Sequence, residues 1–137
     1  MQSIKSIYNP IINTLNLFIM DNKTLALVSY IFTPIGWLIS FFSYQGKEKS
    51  SLVSYHLRQS FGLFLVALAV GIIMSILASI LMFVSLSLIM IISLINWIIW
   101  LAFIVLMVIG IINANNEKET PLPIIGKMFE GKFNFIP

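Results

Sequence analysis

The chain has 137 residues, 59% of them hydrophobic and 9% charged, with a mean hydropathy of +1.01; a soluble core of this size cannot hide so much apolar surface, so lipid must cover it. Eight Lys and Arg against five acids give a net charge of +3, but the basic residues are spread over three polar segments and form no stripe that could track phosphates, so no nucleic-acid partner is expected. The absence of cysteine excludes disulfides, thiolate metal sites and cysteine nucleophiles, and a single histidine leaves no metal-ligand set, so neither a metal nor a cofactor is expected.

In residues 2–20, Ile4, Ile7, Tyr8, Ile11, Ile12, Leu15, Phe18 and Ile19 recur at three- and four-residue intervals with polar side chains opposite, which predicts an amphipathic helix lying in the membrane interface. Pro10 either kinks this helix or begins it with Asn9 as cap. The stretch has no small-residue cleavage pattern and does not read as a cleaved signal peptide. Residues 24–44 are uncharged, and their ten Leu, Ile, Val and Phe favour insertion by about 3–6 kcal/mol, which predicts a first transmembrane span. Inside it, Thr33-Pro34-Ile35-Gly36 interrupts the helix, since Pro34 has no N–H for the carbonyl of Tyr30. A kink at Pro34 and Gly36 is expected, either satisfied by neighbouring helices or opening a partner groove.

A polar connection over residues 45–58 follows, with a new helix expected near Ser51 or Ser54. Positions 59–116 then contain no charged residue, a run of 58 that would be ~85 Å long as one straight helix and must therefore cross the membrane, turn and cross back. The spacing predicts spans over 58–82 and 89–113 with the turn in 83–88, where Ser85 and Ser87 supply the polarity; Asn96-Trp97 is a rival turn. The tail, 114–137, combines a stiff Pro121-Leu122-Pro123 with Phe129, Phe133 and Phe135 between Lys127 and Lys132, and is expected to lie along the headgroups. The whole is one all-α integral membrane domain, 1–137, of three transmembrane helices plus an N-terminal interfacial helix. On the three-span arrangement two basic residues flank one side and six the other, which places the first loop and the C-terminus in the cytoplasm and the N-terminal helix outside. Were residues 2–20 a fourth span, the N-terminus would be cytoplasmic too.

Three features are candidates for function. Ala67, Gly71, Ser75 and Ser79 form a ridge of small residues every fourth position, suited either to packing within the chain or to a homo-oligomer or partner-subunit face. His56, Arg58, Gln59 and Ser60 crowd the start of the second span, with His56, Gln59 and Ser60 on one face and Arg58 on another; they suit a lipid headgroup, a peptide or a partner loop, or else an interface anchor. Asn96 is the most polar residue well inside a span, suited to an interhelical hydrogen bond or to the second interface. No span carries an acid or base at its centre and no serine has a histidine and an acid nearby, so no catalytic residues and no enzyme activity are expected.

The order of these motifs resembles a known family. Tyr30-Ile31-Phe32-Thr33-Pro34-Ile35-Gly36-Trp37, then His56-Leu57-Arg58-Gln59-Ser60-Phe61-Gly62, then Asn113-Ala114-Asn115-Asn116 with Pro121-Leu122-Pro123-Ile124-Ile125-Gly126, is similar to the small bacterial membrane proteins related to the plastid inner-envelope (Tic) protein-import component. The resemblance implies a component of a bacterial inner membrane whose plastid relatives are associated with protein translocation and most of whose bacterial relatives have no assigned activity, and it implies no catalytic residues; His56, Arg58 and Gln59 match its helix-start motif, and Asn115 and Pro123 its tail motif. The expected role is an accessory or structural subunit of a membrane complex linked to protein translocation or insertion. Its partners would be membrane lipids and a translocon component, or a second copy of the chain. The alternative is a homo-oligomeric channel or small-solute transporter using the Pro34 break and Asn96.

Overall fold

The computed structural model describes residues 20–31, 34–45 and 48–136, so the interfacial helix expected over 2–20 lies outside the described residues except for Met20. Among the described residues the fold is all-α, with α1 Asn22–Val28, α2 Ile35–Tyr44, α3 Ser51–Met82, α4 Leu86–Asn115 and a 3-10 turn Gly126–Phe129. Two helices, α3 of 32 residues and α4 of 30, are long and apolar enough to cross a membrane. They rise ~48 and ~45 Å, so each exceeds a ~30 Å hydrocarbon core. Their hairpin turns where Phe83 ends α3 and extended Ser85 starts α4, while Asn96-Trp97 lies within α4.

The expected first span does not form. Its sequence builds two short helices, of 7 and 10 residues, that run antiparallel. Ser40 Oγ donates to the Leu25 carbonyl at 2.8 Å, and a Cβ on Gly36 would collide with the carbonyl oxygens of Val28 and Ile31. Position 40 therefore pairs with 25, and position 36 with 28, so Asp21 and Gln45 emerge at the same end. Helices of this length rise only ~10 and ~15 Å, too little to cross a bilayer singly. Asp21 starts α1 by accepting from the Thr24 N–H at 2.9 Å, and Pro34 starts α2 where its missing N–H costs nothing. The Pro34 interruption thus does more than kink a helix: the chain reverses, and glycine at 36 lets the two backbones touch.

This α1–α2 hairpin packs at the end of the long pair that carries Ser51 and Asn115, with α1 against both α3 and α4 and α2 against α3. Leu25, Trp37, Tyr44, Val53, Leu57 and Ile136 form one buried cluster; Tyr30, Leu63 and Leu122 form a second. No residue from Phe64 to Ile109 is buried. Beyond the capped end the described residues form a bare two-helix hairpin, with Ile73, Ile76, Ile98 and Leu101 turned outward. Such apolar exposure is what a lipid solvent accepts and water does not.

Candidate functional site

The capped end is closed by a buried polar clasp built on the first turns of α3. His56, Gln59 and Ser60 recur at intervals of three and four, so they share the face that α1, α4 and the tail cover, and each is at most 2% exposed. His56 Nε2 lies 3.2 Å from the Lys118 carbonyl, and Nδ1 lies 3.1 Å from the Tyr30 hydroxyl. A carbonyl only accepts, so the network assigns the proton to Nε2, and in the neutral ring Nδ1 accepts from Tyr30. One side chain thereby ties α3 to the turn after α1 and to the turn after α4. The Tyr30 ring meets His56 edge-on at 5.7 Å and lies flush on Gly110, where any Cβ would run into it.

Gln59 and Arg58 hold the tail. Gln59 Nε2 donates to the Gly126 carbonyl at 2.8 Å, and Arg58 Nη2 to the Ile136 carbonyl at 3.0 Å; Gln59 Oε1 and Arg58 Nε are buried without a partner among the described residues. Phe129 sits on Gly62, and Phe61 packs edge-on against Phe133 and Phe135 at 5.1 and 5.7 Å. Ser60 Oγ donates back to the His56 carbonyl at 2.8 Å. Two aromatic residues of α2 complete the closure: Trp37 Nε1 donates to the Leu57 carbonyl at 2.9 Å, and Tyr44 donates to the Ser50 carbonyl at 3.0 Å. The tail, expected along the headgroups, instead folds over the bundle and buries Leu122, Phe129 and Ile136.

The other sequence candidates lie elsewhere. Asn115 and Pro123 are exposed; in the tail turn Asn113 Nδ2 donates to the Thr120 carbonyl at 3.2 Å, the Ile125 N–H to the Pro123 carbonyl at 2.7 Å, and the Gly126 N–H to the Leu122 carbonyl at 2.9 Å. Ala67, Gly71 and Ser75 line an open groove of about 510 Å³ between α3 and α4, with Asn96 and Trp100 also on its wall. Ser75 and Ser79 donate back to the Gly71 and Ser75 carbonyls at 2.8 Å each. A Cβ at Gly71 would come no closer than 3.9 Å to Trp100, so the ridge faces α4 loosely.

Every charged residue among those described lies at the capped end, whether on its loops, at the start of α3 or in the tail. Hydrogen bonding by Thr24 holds the Asp21 carboxyl below its usual range, which suits its capping role. In the sequence Tyr30, Trp37 and Gly62 stand out only as members of longer motifs, without a role, and Gly110 does not stand out at all. A signal for two of them was present: 62 and 110 are glycines inside long apolar helices, and both receive an aromatic ring from a segment distant in sequence.

Two membrane-length apolar helices, a hairpin of short helices and a charged, clasped end define a small all-α membrane protein. A model of the magnetosome magnetite crystal formation protein family (MamF/MmsF) matches residues 17–129, and the chain belongs to that family. No curated protein and no solved structure matches it. The match begins before α1 and ends at the close of the 3-10 turn, so it takes in the hairpin and the clasp as far as Phe129, but not the Phe133, Phe135 and Ile136 contacts of the tail. It overturns the resemblance to the Tic import component, and the translocation role and translocon partner fall with that resemblance. The channel or transporter alternative gains no support from the family either. His56, Arg58 and Gln59, read in the sequence as a translocation-family motif, serve here to close the chain on itself.

Proposed function

We propose that the chain is a membrane-embedded, non-enzymatic component of magnetite crystal formation, acting through its fold and its contacts with lipid and other membrane proteins. The family match over residues 17–129 carries this reading. The clasp supports the non-enzymatic part: both His56 nitrogens, the Gln59 amide nitrogen and the Ser60 hydroxyl are engaged within the chain, which leaves them no room to bind and turn over a substrate. Contacts with a second copy or another subunit fall to the exposed faces of α3 and α4, because the chain's own tail fills the clasp. In a magnetite-forming bacterium deprived of its own family member, crystals imaged by electron microscopy are expected to be restored in size and shape by this chain. Defective crystals in the presence of well-expressed, membrane-inserted protein would contradict the role.

The charge distribution supports a definite placement. Lys23, Lys49, Arg58, Lys118, Lys127 and Lys132 share one end, so the positive-inside rule puts that end in the cytoplasm and the uncharged α3–α4 turn on the far side. The α1–α2 hairpin then enters from the cytoplasmic face and turns back within the bilayer. Irregular backbone at that depth needs internal partners, and the described start of the turn has them: the N–H groups of Tyr30 and Ile31 bond to the Leu27 and Val28 carbonyls, and the Ser29 hydroxyl to the Ala26 carbonyl. The outer face of α2, with Ile35, Leu38, Ile39 and Phe42 exposed, is apolar as lipid requires.

A further inference from the structure

We propose that the fold is a wedge that favours membranes convex toward its charged end. The inference rests on the re-entrant placement above and on how unequally the molecule fills the two leaflets. Along α3 from Ser51 to Leu63, four helices and the tail pack together; beyond Leu68 only α3 and α4 remain among the described residues, and no residue of α3 after Leu63 is buried. The depth of the hairpin follows from its contacts. Pro34 and Trp37 share a cavity wall with Phe61 and Phe64, and Ile31 shares one with Phe64 and Ala67. From Arg58, the last charged position before the apolar run, to Ala67 is a rise of ~14 Å. One leaflet of a ~30 Å hydrocarbon core has that thickness, so the hairpin fills the charged-side leaflet and stops near the midplane.

A body that displaces more lipid area in one leaflet than in the other leaves a flat bilayer under unequal lateral pressure. Curvature that expands the crowded leaflet relieves this, as it does for helices inserted into one interface. Two properties keep the hairpin from escaping the stress. Its outer face is apolar, with Ile35 and Phe42 more than 60% exposed, which holds it in hydrocarbon. Its inner face is bonded to α3 through Trp37 and Tyr30, which holds it against the long helices.

The chain has no cysteine, so Asn134→Cys in the exposed tail gives the full-length protein a single dye. It is reconstituted into phosphatidylcholine vesicles of mixed diameter, and dye density is read vesicle by vesicle, with a membrane-impermeant quencher sorting tail-out from tail-in copies. Tail-out copies are expected to be several-fold denser per unit area on the smallest vesicles than on the largest, and tail-in copies to show the opposite slope. A density independent of diameter in both orientations overturns the wedge. Asn22→Cys and Gln45→Cys, labelled and quenched in the same way, separate the two premises. If both quench with the tail and curvature has no effect, the wedge alone fails; if they quench on opposite sides, the re-entrant placement fails and the wedge with it.

Discussion

At the residue scale the clasp depends on close approaches that tolerate little change. The Tyr30 ring occupies the space a side chain at 110 would need, so Gly110→Ala is expected to displace it and to cost about 1–3 kcal/mol through overpacking, seen as a lower thermal midpoint in detergent. Tyr30→Phe keeps the ring but takes the hydroxyl from His56, leaving a buried ring nitrogen without its partner; a loss of about 1–3 kcal/mol is expected in the same assay. A midpoint unchanged by both substitutions would show that the contact between α1 and the long helices contributes nothing. In the tail the expected sign is reversed. Ile124 has φ 69° and is 95% exposed, a left-handed backbone that a β-branched residue adopts only at a cost of about 1–2 kcal/mol. Asn tolerates that region, so Ile124→Asn should raise the midpoint, and a drop would mean that the exposed Ile124 contributes more through its surroundings than the strain costs.

At the element scale the decisive event is the reversal between α1 and α2. Gly36→Leu is expected to prevent the hairpin from closing, because its side chain has no place beside the Val28 and Ile31 carbonyls. The reading is a gain in protease sensitivity between residues 20 and 50, with α3 and α4 still protected by lipid. The long pair was legible in the sequence, since the charge-free positions 59–116 leave a membrane chain no choice but to cross twice. The hairpin was not. Residues 24–44 carry the apolar content of a span, and Pro34 within a span ordinarily produces only a kink; the reversal depends on a backbone contact at Gly36 that no hydropathy pattern encodes. The clasp was half legible: spacing placed His56, Gln59 and Ser60 on one face, but the groups they bind lie far along the chain. Tyr30 is 26 positions from His56, Lys118 is 62 from His56, and Gly126 is 67 from Gln59.

At the scale of the whole molecule, one end holds all the described charge, the buried polar groups and the tail, and the other, among the described residues, is two apolar helices and a turn. The motifs that suggested a translocation relative belong to the first end, where they describe how the bundle is closed rather than what it is used for. Family membership supplies the link to crystal formation, and the structure supplies the asymmetry through which such a protein would meet its membrane. The most direct test of that asymmetry is single-cysteine accessibility in intact cells and in inverted vesicles, using Asn22→Cys, Gln45→Cys, Asn134→Cys and Val84→Cys in separate full-length chains. The first three should react with an impermeant maleimide only in inverted vesicles and Val84→Cys only in intact cells. Reaction of Asn22→Cys and Gln45→Cys from opposite sides would show that residues 24–44 cross the membrane after all.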